Sequence, residues 1–228
     1  SGAQADGTGL SDIRAFALGS AAKAFLEDLN AWPDDAFATP VHAMQVFGDA
    51  NGRLDFASSK TAPLNWIVDV PALTQKLNEQ VAGNPRIARL AASDDLQATL
   101  HAVCEGRHSA LRNQFHLAVE TIDYPQHAIA ARLTCELPHG NVARQWFNDK
   151  GEVLALLPLA GHEVALVWSL ATDHANAMQA ASDTEFTSAL EAACSKALGT
   201  MTLGSARALW PLTLSKVSPW TGALGDRT

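Results

Sequence analysis

The chain has 228 residues, 47% of them hydrophobic and 18% charged, and carries a net charge of −8. This suits a globular protein with one large core or two small ones, and argues against a phosphate-backbone partner. No apolar run approaches the ~20 residues of a membrane-spanning helix, the first residues do not read as a signal peptide, and three scattered cysteines (Cys104, Cys135, Cys194) point to a reducing compartment rather than a disulfide framework.

Residues 1–11 are small and polar and read as a loose tail. From Asp12 to Asn30 the spacing of Phe16, Ala21, Phe25 and Leu29 predicts a helix, closed by Trp32-Pro33. Val41–Phe47 and Arg53–Ala57 flank Gly48-Asp49-Ala50-Asn51-Gly52 and predict a hairpin. Leu64–Val68 reads as a short strand. Pro71 suits a first helical turn, Leu73, Leu77 and Val81 follow at helical spacing, and Gly83-Asn84-Pro85 is a stop signal. Arg86–Leu90 and Leu96–Cys104 read as strands, and Glu105–Asn113 as a turn into a short helix.

The strongest pattern lies between Tyr124 and Leu170. Ile129, Ala131, Leu133, Cys135 and Leu137 recur at the two-residue period that buries one face of a strand. Pro138-His139-Gly140 breaks it, and Val142–Phe147 resumes. Asn148-Asp149-Lys150-Gly151 has turn chemistry. Val153–Leu159 is apolar throughout, as a strand covered on both faces is. After Gly161-His162, Val164, Leu166, Trp168 and Leu170 alternate again. Ser182 and Glu185 have capping-box spacing before a helix carrying Phe186, Leu190, Cys194 and Leu198, with Gly199 as its stop. Ser205–Leu214 reads as a last strand. The sum is an α+β chain built on a largely antiparallel sheet over 124–214, covered by the Ser182–Leu198 helix.

Chemistry-bearing motifs are sparse. G-x-G-x-x-G, P-loop, G-x-S-x-G and H-E-x-x-H signatures do not occur. His101, Cys104 and His108 have a metal-like spacing, but a zinc site wants a fourth ligand or a held water, so ordinary strand-end residues are the preferred reading and no metal is assigned. Glu105 beside Gly106 is either a surface turn or a holder of a ligand hydroxyl or phosphate. Trp146, Phe147 and Trp168 are either core or the wall of an aromatic pocket.

Tyr124-Pro125-Gln126-His127-Ala128-Ile129-Ala130 resembles the Y-x-Q-x-A-I-V of the ubiquinone-biosynthesis hydroxylases, FAD-dependent aromatic monooxygenases with the p-hydroxybenzoate hydroxylase fold. Pro138-His139 with Ala143-Arg144-Gln145-Trp146-Phe147 is similar to P-H…A-x-x-x-F. The stretch from Gly151 to Leu159 resembles G-x-x-A-L-L-P-L, Val167-Trp168-Ser169 resembles V-W-S, and Arg207–Leu212 resembles R-x-Y-P-L with Trp210 for the tyrosine. Upstream, Arg14-Ala15-Phe16-Ala17-Leu18 resembles R-A-x-A-L, whose arginine faces the flavin. The run from Cys104 to Arg112 is similar to A-D-G-x-x-S-x-V-R, with Glu105 for the aspartate. These seven blocks keep family order.

The resemblance implies Arg14, Glu105, Gly106 and Arg112 on the cofactor side, and Gln126, Trp146, Leu157, Pro158 and Trp168 on the substrate side; it assigns no catalytic residue. It implies an incomplete FAD-binding part over 12–113, with an inserted hairpin near 41–68, joined to a substrate-binding sheet domain over 114–228. The family's Gly-rich strand–helix and its G-D-A-A-H block are not recognised here, and 84–104 is about a hairpin short. The chain is therefore expected to be an internal fragment, inactive and without tightly bound FAD by itself. For the parent the resemblance implies that NAD(P)H reduces FAD, oxygen adds to the flavin, and hydroxyl passes to an electron-rich ring carbon of a polyprenylated phenol. It also implies a cytoplasmic protein, at most peripheral at the inner membrane, with other ubiquinone-biosynthesis proteins as partners. The alternative is a non-catalytic module that binds a ligand or protein on the apolar sheet face.

Overall fold

The computed structural model describes residues 12–58, 62–90, 98–106, 109–114 and 117–221. Its elements are β1 (Ala15–Leu18), α1 (Ser20–Asp28), β2 (Ala38–Val41), β3 (Ala43–Phe47), β4 (Arg53–Ala57), β5 (Asn65–Asp69), α2 (Val70–Gly83), α3 (Ala110–Gln114), β6 (Ala118–Cys135), β7 (Val142–Phe147), β8 (Val153–Pro158), β9 (Glu163–Ala171), α4 (Thr172–Ala180), α5 (Asp183–Ala193), β10 (Met201–Leu203) and β11 (Ala208–Ser218). By their contacts the residues form two compact units that interleave in sequence, Ser1–Ile87 with Gln126–Trp210, and Ala88–Pro125 with Pro211–Thr228. Among the described residues no helix is long and apolar enough to cross a membrane.

An eight-stranded sheet runs in the order β10-β6-β9-β8-β7-β3-β4, with β11 also paired to β6. Along that path neighbouring strands are antiparallel except β3 and β7, which run parallel with Met44 beside Ala143 and Phe47 beside Trp146. The alternation along β6 and β9 sends Ile129, Ala131, Leu133, Leu166, Trp168 and Leu170 to one face. There they meet Ala175 of α4 and Phe186 and Leu190 of α5. The capping box fixes where α5 begins: Ser182 Oγ accepts from the Glu185 amide and Glu185 Oε2 accepts from the Ser182 amide. Phe186 and Leu190 are wholly buried, and each such side chain contributes about 1.5–3 kcal/mol by leaving water.

A three-stranded antiparallel sheet, β1-β5-β2, lies against part of the other face. Val41 and Ile67 pack on Ala143, Leu159 and Ala165 of the large sheet. The neighbouring positions Ala38 and Val68 point the opposite way, to Leu26 of α1, Leu73 of α2 and Trp32. The order of layers is thus α4 and α5, large sheet, small sheet, then α1 and α2. Asp69 ties two of them. Its Oδ1 caps α2 through the Ala72 amide at 2.9 Å, and its Oδ2 accepts from Arg132 Nη2 of β6 at 2.5 Å.

Several expectations from the sequence need correcting. Asp12–Asn30 is a strand and then a helix, because residues 15–18 find a partner in β5, and α1 starts only after Gly19. Phe16, Phe25 and Leu29 are exposed rather than a buried stripe. Arg86–Leu90 is not a strand. Asn84 closes a turn there, its side chain accepting from the Arg86 amide and its carbonyl from the Ile87 amide, and no described strand pairs with Ala88–Leu90. The described part of Leu96–Cys104 is likewise irregular. The helix predicted to reach Leu198 ends at Ala193. Ser195 and Lys196 turn left-handed and fold Leu198 back into the core. At Gly199 (φ +72°) a Cβ would lie 2.7 Å from Glu136 Oε2, so this position needs glycine. Helix α4 and strand β10 were not anticipated, and the hairpin of β3 and β4 extends the large sheet through the parallel pairing with β7.

Candidate functional site

The small sheet packs on part of the second face of the large sheet. Backbone register assembles a row across it: Ala130 opposite Val167, Val167 opposite Ala155, Ala155 opposite Gln145, Gln145 beside Val46, and Val46 opposite Leu54. A second row holds Ala128, Ser169, Val153 and Phe147. Ala128, Ala130 and Ala155 are themselves buried at this face, while Val167, Phe147, Leu54 and Phe56 on it are exposed. Uncharged polar groups, those of Gln145, Ser169 and Gln126, share the same face. Gln126 Nε2 donates to the Gly151 carbonyl at 2.7 Å and holds the β7–β8 turn at one end of the platform. A flat apolar body can rest on such a surface, with amides and a hydroxyl available to orient it.

The substrate-side residues suggested by the sequence do not converge. Gln126 lies on this face, and Leu157 lies on it where the small sheet packs, beside Val41, Ile67 and Ala165. Trp168 lies on the opposite face, buried edge-on to Phe186 with ring centroids 6.0 Å apart. Trp146 is also on the helix-covered face, stacked on Phe47 at 5.2 Å and 11°. Pro158 is buried. Both tryptophans make ring contacts within the fold. The period-two register separates these residues, and the missed platform positions (Ala128, Ala130, Ala155, Val167) were visible as the intervening half of the same alternation.

On the cofactor side, Arg14 precedes β1 and forms a forked ion pair with Asp12, Nε to Oδ1 at 2.9 Å and Nη2 to Oδ2 at 2.7 Å. That guanidinium holds the Asp12 carboxyl below its usual range. In the other compact unit, Glu105, Gly106 and Arg112 surround the start of the short α3. Glu105 Oε2 accepts from Ser109 Oγ (2.7 Å) and the Leu111 amide (3.1 Å), which lowers its pKa. Gly106, at φ +74°, directs its carbonyl toward Arg112 Nη1 at 3.4 Å. His101 and Cys104 are exposed, and His108 lies outside the described residues; among those described, no three His, Cys, Asp or Glu side chains form a metal-binding group. For FAD the fit is incomplete. The polar groups of Arg14 and Glu105 are engaged within the chain, and no strand with a Gly-rich turn and a helix forms a phosphate cradle among the described residues.

Two further polar clusters escaped the sequence reading. Glu152, buried in the β7–β8 turn, receives Asn148 Nδ2 at 3.0 Å and meets His174 Nδ1 of α4 at 2.7 Å. Arg207 donates to the Met178 and Ala181 carbonyls, each at 2.7 Å, and lies 4.9 Å above the Phe186 ring. It thereby satisfies carbonyls at the end of α4.

A mixed, largely antiparallel sheet with helices on one face is a fold this chain shares with flavin-dependent enzymes of known structure. No protein-family model matches the chain. Among solved structures, a mutant of PqsL from P. aeruginosa superposes with a TM-score of 0.71 at 18% identity, over 89% of this chain and 64% of that one. The flavin-dependent brominase Bmp2 gives 0.63 at 13%, over 90% and 59%. An FAD-containing monooxygenase from Photorhabdus luminescens gives 0.55 at 12%, over 94% and 68%. At these identities the likeness establishes the fold, and the chain spans less than two thirds of the length of PqsL.

Proposed function

We propose that this chain is the substrate-side part of an FAD-dependent monooxygenase that hydroxylates an aromatic ring, and that the ring rests on the open sheet face. The exposed apolar side chains of this face carry the reading: Val167, Phe147, Leu54 and Phe56 stand exposed beside small buried alanines, and a sheet packed by helices on its other side has no structural need of them. The fold likeness supports the flavoenzyme class, and one PqsL structure holds 2-aminobenzoylacetate, which contains a benzene ring. FAD, with NAD(P)H as reductant, would supply the oxygen chemistry in the intact enzyme. What this chain contributes is the floor, the orienting amides of Gln126 and Gln145, and the exclusion of water beneath the ring.

Within that class we favour a polyprenylated phenol of the ubiquinone pathway, on the strength of the sequence blocks from Tyr124 to Ser169. A neutral phenol suits a platform whose polar groups are uncharged. The test is a titration of the isotope-labelled chain with a farnesylated phenol, followed by amide chemical shifts. The expected shifts fall on Ala128, Ala130, Ala155 and Val167. Saturating phenol that moves only α4 and α5, or nothing, overturns the assignment.

A further inference from the structure

Strand β4 is an edge of the large sheet among the described residues, and all its residues, Arg53 to Ala57, are exposed. Edge strands of folded proteins are ordinarily shortened, bulged or covered. This one is regular, and beside its charges it presents Leu54 and Phe56, 62% and 49% exposed. The hairpin hydrogen bonds reveal which backbone groups point outward. Gly48 N bonds to Gly52 O, and Ser58 N to His42 O, so by alternation Leu54 and Phe56 face β3. The amides and carbonyls of Arg53, Asp55 and Ala57 therefore point away from the sheet.

We propose that β4 pairs antiparallel with β4 of a second copy of this chain. A two-fold pairing must set outward-facing residues opposite one another. Four centres satisfy this near the middle of the strand, and the one on Phe56 sets Asp55 opposite Ala57 with no ion pair gained. Centring on Asp55 opposes two carboxylates, and centring on Arg53 opposes two guanidiniums. Centring on Leu54 sets Arg53 opposite the Asp55 of the second copy, twice over, and brings the two Leu54 side chains together. Within each chain Arg53 and Asp55 already pair at 2.8 Å on the face opposite Leu54. The same two side chains reach across the two-fold axis without moving to the other face. The charge pattern is therefore self-complementary in one register and repulsive in the adjacent two.

The test is analytical ultracentrifugation of the whole chain across a wide concentration range. The chain is expected to dimerise with rising concentration. Arg53→Asp alone and Asp55→Arg alone each convert both cross-strand pairs to like charges, and each is expected to weaken self-association by about tenfold or more. Mixed in equal amounts, the two variants are expected to associate with each other, because each supplies the charge the other lacks. This mixture separates pairing between chains from the pair within one chain, which mixing cannot restore. Both sites are exposed, and far-ultraviolet circular dichroism verifies that the variants are folded. A chain that stays monomeric throughout overturns the proposal, as do a dimer indifferent to either substitution and a mixture no more associated than its parts.

Discussion

Replacing Asp69 separates two contributions that meet in one carboxylate. Its Oδ1 caps α2, and its Oδ2 holds Arg132, whose side chain is 23% exposed and whose Nε also reaches the Ile13 carbonyl at 3.4 Å. Losing an N-cap costs about 0.5–2 kcal/mol. Breaking a buried ion pair costs about 3–5 kcal/mol, and the residual exposure of Arg132 reduces this to about 2 kcal/mol. Asp69→Ala is therefore expected to lose about 3 kcal/mol in all. Asp69→Asn retains an acceptor for the Ala72 amide and should lose only the ion-pair part, about 2 kcal/mol. Adding Arg132→Met to Asp69→Asn removes the stranded charge and should recover much of that loss. Urea denaturation followed by tryptophan fluorescence measures all three, provided the m-value is unchanged. An Asp69→Asn midpoint equal to wild type would refute the ion-pair argument. Equal midpoints for the Asn and Ala variants would refute the capping argument.

Leu190 is wholly enclosed between α5 and the sheet, so Leu190→Asp buries an unpaired charge at a cost of several kcal/mol and should unfold the unit. A variant that melts like wild type would place α5 at the surface. For Glu152, burial pushes the carboxyl up, but hydrogen bonds from His174 and Asn148 outweigh it and hold the pKa below its ordinary value. A lowered folded-state pKa adds stability above the ordinary glutamate range, and this is lost as pH falls through the lowered value. Glu152→Gln should flatten the decline in melting temperature between roughly pH 5 and 3, and an acid decline as steep as wild type would refute the assignment. Titrated with FAD and read by flavin fluorescence, the chain should show no stoichiometric binding at micromolar concentration. An arginine–phosphate hydrogen bond contributes about 1.5–3 kcal/mol, against the ~8 kcal/mol of a micromolar complex. Tight binding would show that the flavin site is complete here.

The sequence by itself determined the elements whose signal is local. β6 and β9 were legible because one face of each packs on α4 and α5, so burial wrote a two-residue period into the chain, and β8 because its run of apolar residues has strand length. The start of α5 was legible because its capping residues lie three apart, and the β3–β4 hairpin because its turn is built from Gly48 to Gly52. Tertiary structure decided whatever depends on distant partners. Ala15–Leu18 has a spacing compatible with helix, and only β5, some fifty residues on, makes it a strand. The alternation in β6 and β9 distinguished two faces without revealing which one the helices cover; the resemblance put Trp168 and Gln126 together on the substrate side, and the pleat sets them on opposite sides. The parallel joining of β3 to β7 and the Asp69–Arg132 pair, 63 residues apart in sequence, leave no mark within any local window. Such contacts are selected by burial and charge after the chain has folded back on itself.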